Sequence, residues 1–432
     1  MDAGVFSARF SNPVRVTYSA PFQANAAAIE QRAQGRLPEA IATLRSAIDQ
    51  FPGTVVLHQN LAQMLYETND VAGAISAHRA ALRIEDSVTS HLALYELLQI
   101  ASERNEALAH QRAGLRISRL FSHFAPNEQR SILALCAPGD WQANIPIDFL
   151  LDRETTSVHK FYLTDETVPA LPRYDVVWNI IAEAPEALPA LGLANRLIIA
   201  QSRPALNQPA NVVLIGRTML HATLARTGAK TAPVETISAA LLRKGNLPFA
   251  FPVIVRPVGS HAGHGLERIE HADACAAYVA NHPTPPYFIS PFIDYASADG
   301  YFRKYRIVYV DGVPYPVHLA ISSKWMIHYY NAEMADHQWM RDEEAQFLED
   351  PRVAFDGPRF ETLVRIGEAV GLEYFGIDCA IDREGNVLVF EADAAMLVHT
   401  SDPVDLYPYK HQYVPRIYRA VEAMIDRRTS DS

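Results

Sequence analysis

Cysteine is scarce in this chain. The three present in 432 residues, Cys136, Cys275 and Cys379, show no metal-ligand spacing. That leaves no disulfide framework or zinc motif, and the expectation is a reducing, cytoplasmic setting. No apolar run approaches the ~18 residues that a membrane helix needs, so no membrane partner is expected. The first residues, MDAGVFSARFSNPVRVTYSAPF, lack the apolar core of a signal peptide. Basic charge is short as well. With 38 Lys and Arg against 49 Asp and Glu, the net charge of −11 argues against nucleic acid as a partner. What is left is an ordinary globular composition with room for roughly two to four domains.

After a lead-in over residues 1–22, residues 23–125 read as helical and repetitive. Small residues recur 34 positions apart: Ala28 and Ala62, Ala40 and Ala74, Ala47 and Ala81. Such positions let the two helices of a pair pack closely and the pair stack on its neighbour. Gly35 and Asn69 share one turn position, and a third, eroded copy reaches Ala107 after a one-residue slip. The pattern resembles the tetratricopeptide repeat. That resemblance implies a solenoid whose concave face holds a peptide or protein; packing against the chain's own remaining domains is the alternative.

Residues 130–215 change character. Short apolar runs, SILALCAP, VHKFYLT, YDVVWNIIAE, NRLIIAQ and NVVLIGR, alternate with helical stretches, as buried parallel strands of an α/β unit do. Asn179 follows one such run. It is either a turn residue or a ligand-facing group at the carboxyl edge of the sheet.

From residue 216 to 432 the chain carries its chemistry. Phe251–Val255 leads into Arg256-Pro257 and then Gly259-Ser260-His261-Ala262-Gly263-His264-Gly265. Glycines let successive backbone N–H groups turn toward an anion, and a basic residue at the strand end adds charge there. Gly300–Met334 reads as a hairpin about Asp311-Gly312, with Lys304 and Arg306 on one arm and His318, Lys324, His328 and Asn331 on or after the other. Asp336–Pro351 is acidic and reads as a mobile segment, a candidate lid. Phe360–Leu372 has helical spacing. A second hairpin runs from Tyr374 to Asp393 through Asp382-Arg383-Glu384-Gly385-Asn386, with Asp378 on one strand and Glu391 and Asp393 on one face of the other. Three converging carboxylates suit a hard cation such as Mg²⁺; the bland alternative is capping and ion pairing.

Together these motifs, a basic strand end, a glycine loop, an arginine strand and D-x12-E-x-D, resemble the ATP-grasp superfamily, the group of glutathione synthetase, D-alanine–D-alanine ligase and the RimK-type glutamate ligases. The resemblance implies a multidomain chain, an all-α helical repeat solenoid followed by α/β and α+β ATP-grasp domains. It implies that Arg217, Arg256, Ser260, His261, Gly263 and Gly265 face ATP phosphates. Phe288, Ile289, Phe292 and Ile293 would line the adenine slot and Asp294 would take the ribose. Asp378, Glu391 and Asp393 would hold Mg²⁺ or Mn²⁺. Arg306, Asn331 and Arg256 would be catalytic, and Asn179, Lys304, His318, Lys324, His328 and His399 are candidate substrate contacts. Arg217 and Arg256 stand where the family has lysine, and Asp393 where it has asparagine. The implied activity is an ATP- and Mg²⁺-dependent carboxylate–amine (or thiol) ligase working through an acyl phosphate. The substrate is a small molecule, peptide or protein, recruited in the last cases by the repeats, and a homodimer is compatible. The alternatives are phosphoryl transfer to another acceptor and a repeat-based adaptor with a nucleotide-sensing domain.

Overall fold

A computed structural model describes residues 20–260, 263–327 and 332–430. Contacts divide the chain into two compact units, Met1–Phe121 with Pro138–Asp140, and Ser122–Ala137 with Trp141–Ser432.

The first unit is a run of three helix hairpins: α1 (Ala20–Ala33) with α2 (Leu37–Gln50), α3 (Val55–Glu67) with α4 (Val71–Ile84), and α5 (Val88–Ile100) with α6 (Arg104–Ile117). Ala28, Ala40, Ala62, Ala74, Ala81 and Ala107 are completely buried, where any larger side chain would force the helices apart. Each hairpin turns through one left-handed residue, Gly35, Asn69 and Ser102, with φ of 75°, 64° and 64°. The last two lie 33 residues apart, so the one-residue slip of the third copy falls between its turn and the previous one. Asp70 caps α4 by accepting from the Gly73 N–H at 2.8 Å.

The second unit contains three sheets. The first has the order β1-β3-β2-β4-β5, from β1 (Leu120–His123), β2 (Arg130–Cys136), β3 (Thr156–Tyr162), β4 (Val176–Asn179) and β5 (Ala205–Leu206). β2 pairs in parallel with β3 and β4, and every β2 residue is buried, as expected of a strand covered on both faces. Strands β6 (Lys230–Thr231), β7 (Glu235–Ile237), β8 (Val253–Pro257), β9 (Glu267–Ile269) and β10 (Tyr287–Pro291) come next. Four of these form an antiparallel sheet ordered β7-β10-β8-β9, packed on a core that includes Val255, Tyr278, Tyr287 and Ile289. The third sheet is ordered β12-β11-β13-β14-β6, from β11 (Phe302–Val310), β12 (Val313–Ser322), β13 (Tyr374–Ile381), β14 (Val387–Asp393) and β6. The β13–β14 turn is closed by Asp382, whose Oδ1 accepts from the N–H groups of Glu384 and Asn386 at 3.0 and 2.8 Å.

The acidic segment after Asp336 is not a lid. Gln338–Glu349 is a helix with Met340, Glu344, Phe347 and Leu348 buried. Glu344, fully enclosed, takes the Lys410 ammonium at 3.3 Å, the Tyr409 hydroxyl at 2.6 Å and the Leu319 N–H of β12 at 3.1 Å. The acidic composition concealed an inward face. Removing one partner of a buried pair strands the other charge. Glu344→Ala is therefore expected to cost about 3–5 kcal/mol in denaturant unfolding; a loss below about 1 kcal/mol would match a surface pair instead.

Candidate functional site

One row of side chains crosses the third sheet. Arg306 on β11 lies opposite His318 on β12 and opposite Asp378 on β13, and Asp378 lies opposite Glu391 on β14. Asp393, two residues on, faces Gly376. The ladder slips on both sides of this row, between Arg306 and Ile307 and between Asp378 and Cys379. Such bulges re-aim a side chain at the cost of one residue left out of the ladder. Here they set four chemically active residues side by side. At Gly376 a Cβ would lie 2.4 Å from Met396 Cγ, so only glycine lets that side chain close over the strand.

Each of the two adjacent carboxylates of the row is bonded to its own cations. Asp378, 1% exposed, accepts from Arg306 Nε at 2.8 Å and Nη2 at 3.1 Å and from Lys304 Nζ at 2.9 Å. Burial works against its charge, but Arg306 and Lys304 hold its pKa well below the usual carboxylate value. Glu391 accepts from Arg217 Nη2 at 2.6 Å. Among the described residues no cation bonds Asp393; its carboxylate accepts the Ala395 N–H at 2.7 Å, and burial lifts its pKa to about 6. His318 is buried, and burial together with Arg306 and Lys410 pushes its pKa well below 6.5, so it is a neutral ring.

Beside this row stands the glycine loop. Arg256 ends β8 and turns back on its own loop, donating from Nε to Ser260 Oγ at 3.1 Å and from Nη2 to the Ser260 carbonyl. Burial, and then the Arg217 guanidinium, bring its pKa down to about 10. Gly259, Gly263 and Gly265 all have φ between 66° and 76°, a region that a side chain rarely tolerates. His261 lies outside the described residues, as do His328 and Asn331.

Glu183 joins this group, although the sequence reading passed over it. It lies just beyond β4, and its Oε1 is 2.8 Å from where a Gly216 Cβ would stand. Among the described residues no hydrogen bond or ion pair engages its carboxyl. Burial, relieved by Arg217 but reinforced by Asp393, Glu186 and Glu391, raises its pKa to about 7. The available signal was its place at the carboxyl edge of a parallel sheet.

The remaining candidates are more scattered. Ile289 points into the core of the β7–β10 sheet. Phe288 pairs across the strands with Arg256. Phe292 lies under the Arg268 guanidinium, 3.9 Å from the ring centre, and edge-on to Trp325. Ile293 packs against the cluster that contains Tyr295, Ala320 and Leu388, and Asp294 pairs with Arg383 at 2.8 Å. Asn179 is fully buried and donates to the Asn207 carbonyl at 2.9 Å. Lys324 is exposed, and His399 Nδ1 meets Ser401 Oγ at 2.8 Å. A surface cavity of about 570 Å³ at Pro172–Tyr174 and Ala200–Arg203 is lined by none of these residues.

The donors fit a divalent cation by chemistry. Three carboxylates occupy adjoining positions on paired strands, the all-oxygen donor set a hard cation takes. Their present orientation is different. Among the described residues no three His, Cys, Asp or Glu side chains converge on a metal position, because Asp378 and Glu391 are turned to cations. The fit is thus to the donor set, with those ion pairs exchanged.

No family model matches the chain. No curated protein matches it either. Among solved structures, it is similar to the VanG D-Ala:D-Ser ligase of Enterococcus faecalis at 10% identity, over 69% of this chain and 99% of that one, with a TM-score of 0.44. It is similar to a D-alanine–D-alanine ligase of Bacillus anthracis complexed with ATP at 10% identity, over 70% and 100%, with a TM-score of 0.42. A third likeness is to the first TPR of Spaghetti (RPAP3) bound to an HSP90 peptide, at 18% identity over 23% and 79%, with a TM-score of 0.22.

The raised pKa of Glu183 gives a signed prediction. The folded protein keeps a proton there that the unfolded chain releases, so this group costs stability as pH climbs from 4.5 to about 7. Glu183→Gln should melt about 2 °C above wild type at alkaline pH, the gap closing as pH falls toward the ordinary carboxylate range. A gap independent of pH would show that burial does not perturb this carboxyl.

Proposed function

We propose that the chain is an ATP- and Mg²⁺-dependent ligase that joins a carboxylate to an amine or thiol. The observation that carries this reading is the cross-strand row, with Asp378 and Glu391 in register, Asp393 two residues on, and Arg306, Lys304 and Arg217 bonded to the first two. Acid and base of this kind, concentrated on one sheet face beside a glycine loop, suit a bound polyphosphate and its metal. The sequence resemblance points the same way.

In this reading a carboxylate oxygen of the substrate attacks the terminal phosphorus of ATP. The bond from that phosphorus to the bridging oxygen breaks, giving an acyl phosphate and ADP. The lone pair of the amine or thiol then attacks the acyl carbon, the bond from that carbon to the phosphate oxygen breaks, and phosphate leaves as the nucleophile gives up its proton. Arg306, Lys304 and Arg217 supply positive charge where negative charge moves, and Arg256 holds the glycine loop in shape. Neutral His318 behind Arg306 adds no competing charge. Asp378, Glu391 and Asp393 would hold Mg²⁺, which when bound neutralises phosphate oxygens. The protein's contribution is chiefly placement.

The test is ADP and phosphate release from Mg·ATP against pooled amino acids, peptides and cell extract, with mass spectrometry of the products. Substrate-stimulated release and a condensed product are expected, reduced by ~10²-fold or more in Glu391→Ala. A phosphorylated product without condensation would establish a phosphotransferase instead. Nucleotide binding with no turnover in any mixture would favour the adaptor.

A further inference from the structure

The cations and carboxylates of this site occupy one another. Both oxygens of Asp378 are taken, by Arg306 at 2.8 and 3.1 Å and by Lys304 at 2.9 Å, and Glu391 is taken by Arg217 at 2.6 Å. Under the proposed function, on which this inference rests, the phosphates need those cations and the metal needs those carboxylates. Neither ligand meets an open site.

We propose that the site binds by partner exchange, in which the ion pairs Arg217–Glu391 and Arg306/Lys304–Asp378 open only when an anionic polyphosphate and a divalent cation take the two halves together. A divalent cation alone would draw Asp378 and Glu391 away and leave Arg217, Arg306 and Lys304 partly buried without counter-charge. The Arg217, Arg306 and Lys304 side chains are only 29%, 22% and 15% exposed, so water recovers little of the loss. A polyphosphate alone would strand the carboxylates, Asp378 worst of all at 2% side-chain exposure. Supplied together, each released charge finds a new partner. The pairs therefore act as a latch that couples the two ligands, and the coupling is reciprocal.

Removing an expected metal ligand should tighten metal-free nucleotide, because it frees a cation. Glu391→Gln keeps the shape of the side chain and releases Arg217; its affinity for ATP in EDTA, measured by calorimetry, should rise about fivefold or more over wild type. Arg217→Gln releases Glu391; its affinity for Mn²⁺ without nucleotide, measured from the resonance signal of free Mn²⁺, should rise by a similar factor. Lys304→Met removes one of the three bonds to Asp378 and should raise it in the same direction by a smaller factor, since Arg306 still holds both oxygens. The three changes sit on two separate pairs, so a variant that fails to fold leaves the others to decide. If wild type binds ATP with Mn²⁺ but none of the folded variants gains affinity for the lone ligand, the exchange is wrong and the ligase reading stands. If wild type binds neither ligand, singly or together, both fall.

Discussion

Everything in the second unit's third sheet accommodates one buried carboxylate. Asp378 is enclosed on the central strand β13, where an unpaired charge would cost several kcal/mol. Its neighbours are fixed by that cost. Arg306 lies directly across on β11 and holds both oxygens, and Lys304, on the same face of that strand, shares one of them. His318 behind them is kept neutral, which avoids a third positive charge against the pair. Two bulges hold the row in line. A sheet with regular pairing would turn one of these side chains away from the others.

The same constraint reaches into neighbouring elements of the unit. Glu391, opposite Asp378, would repel it, and Arg217 relieves this by approaching from a different part of the chain. Arg256 stands within electrostatic reach of Arg217 and is committed to its own loop. The two departures from the lysines of the resembled family thus have different consequences. At Arg256 the forked guanidinium engages both side chain and backbone of Ser260, which a single ammonium would not match. At Arg217 the longer side chain reaches Glu391. Among the described residues neither Asp393 nor Glu183 has a cation bonded to it, and burial raises the pKa of both.

Much of the architecture was legible because it depends on local pattern. The alanines 34 residues apart mark helix contacts, and Gly35 and Asn69 mark turns, since close approach and a left-handed backbone each admit few residue types. The Asp382–Asn386 turn gave the hairpin and put Asp378 and Glu391 on paired strands; their exact opposition depends on the bulge beside Asp378, which the sequence does not announce. What the chain does not spell out is pairing at a distance. Nothing around Arg217 announces Glu391, 174 residues later, and nothing in YDVVWNIIAE says that its final glutamate approaches Gly216. The helix Gln338–Glu349 was misread as a lid because its buried Glu344 looks like one more surface acid until Lys410 and Tyr409 are placed against it.

The central claim is that the cross-strand row receives a metal and a polyphosphate. The most direct measurement is a crystal structure of the full chain with Mn²⁺ and a non-hydrolysable ATP analogue, with the metal located by its anomalous signal. The account predicts a peak bounded by Asp378, Glu391 and Asp393, the analogue's phosphates between it and the glycine loop, and Arg217 turned from Glu391 to phosphate. A nucleotide bound elsewhere on the chain, with the row still paired as it is here, would contradict it.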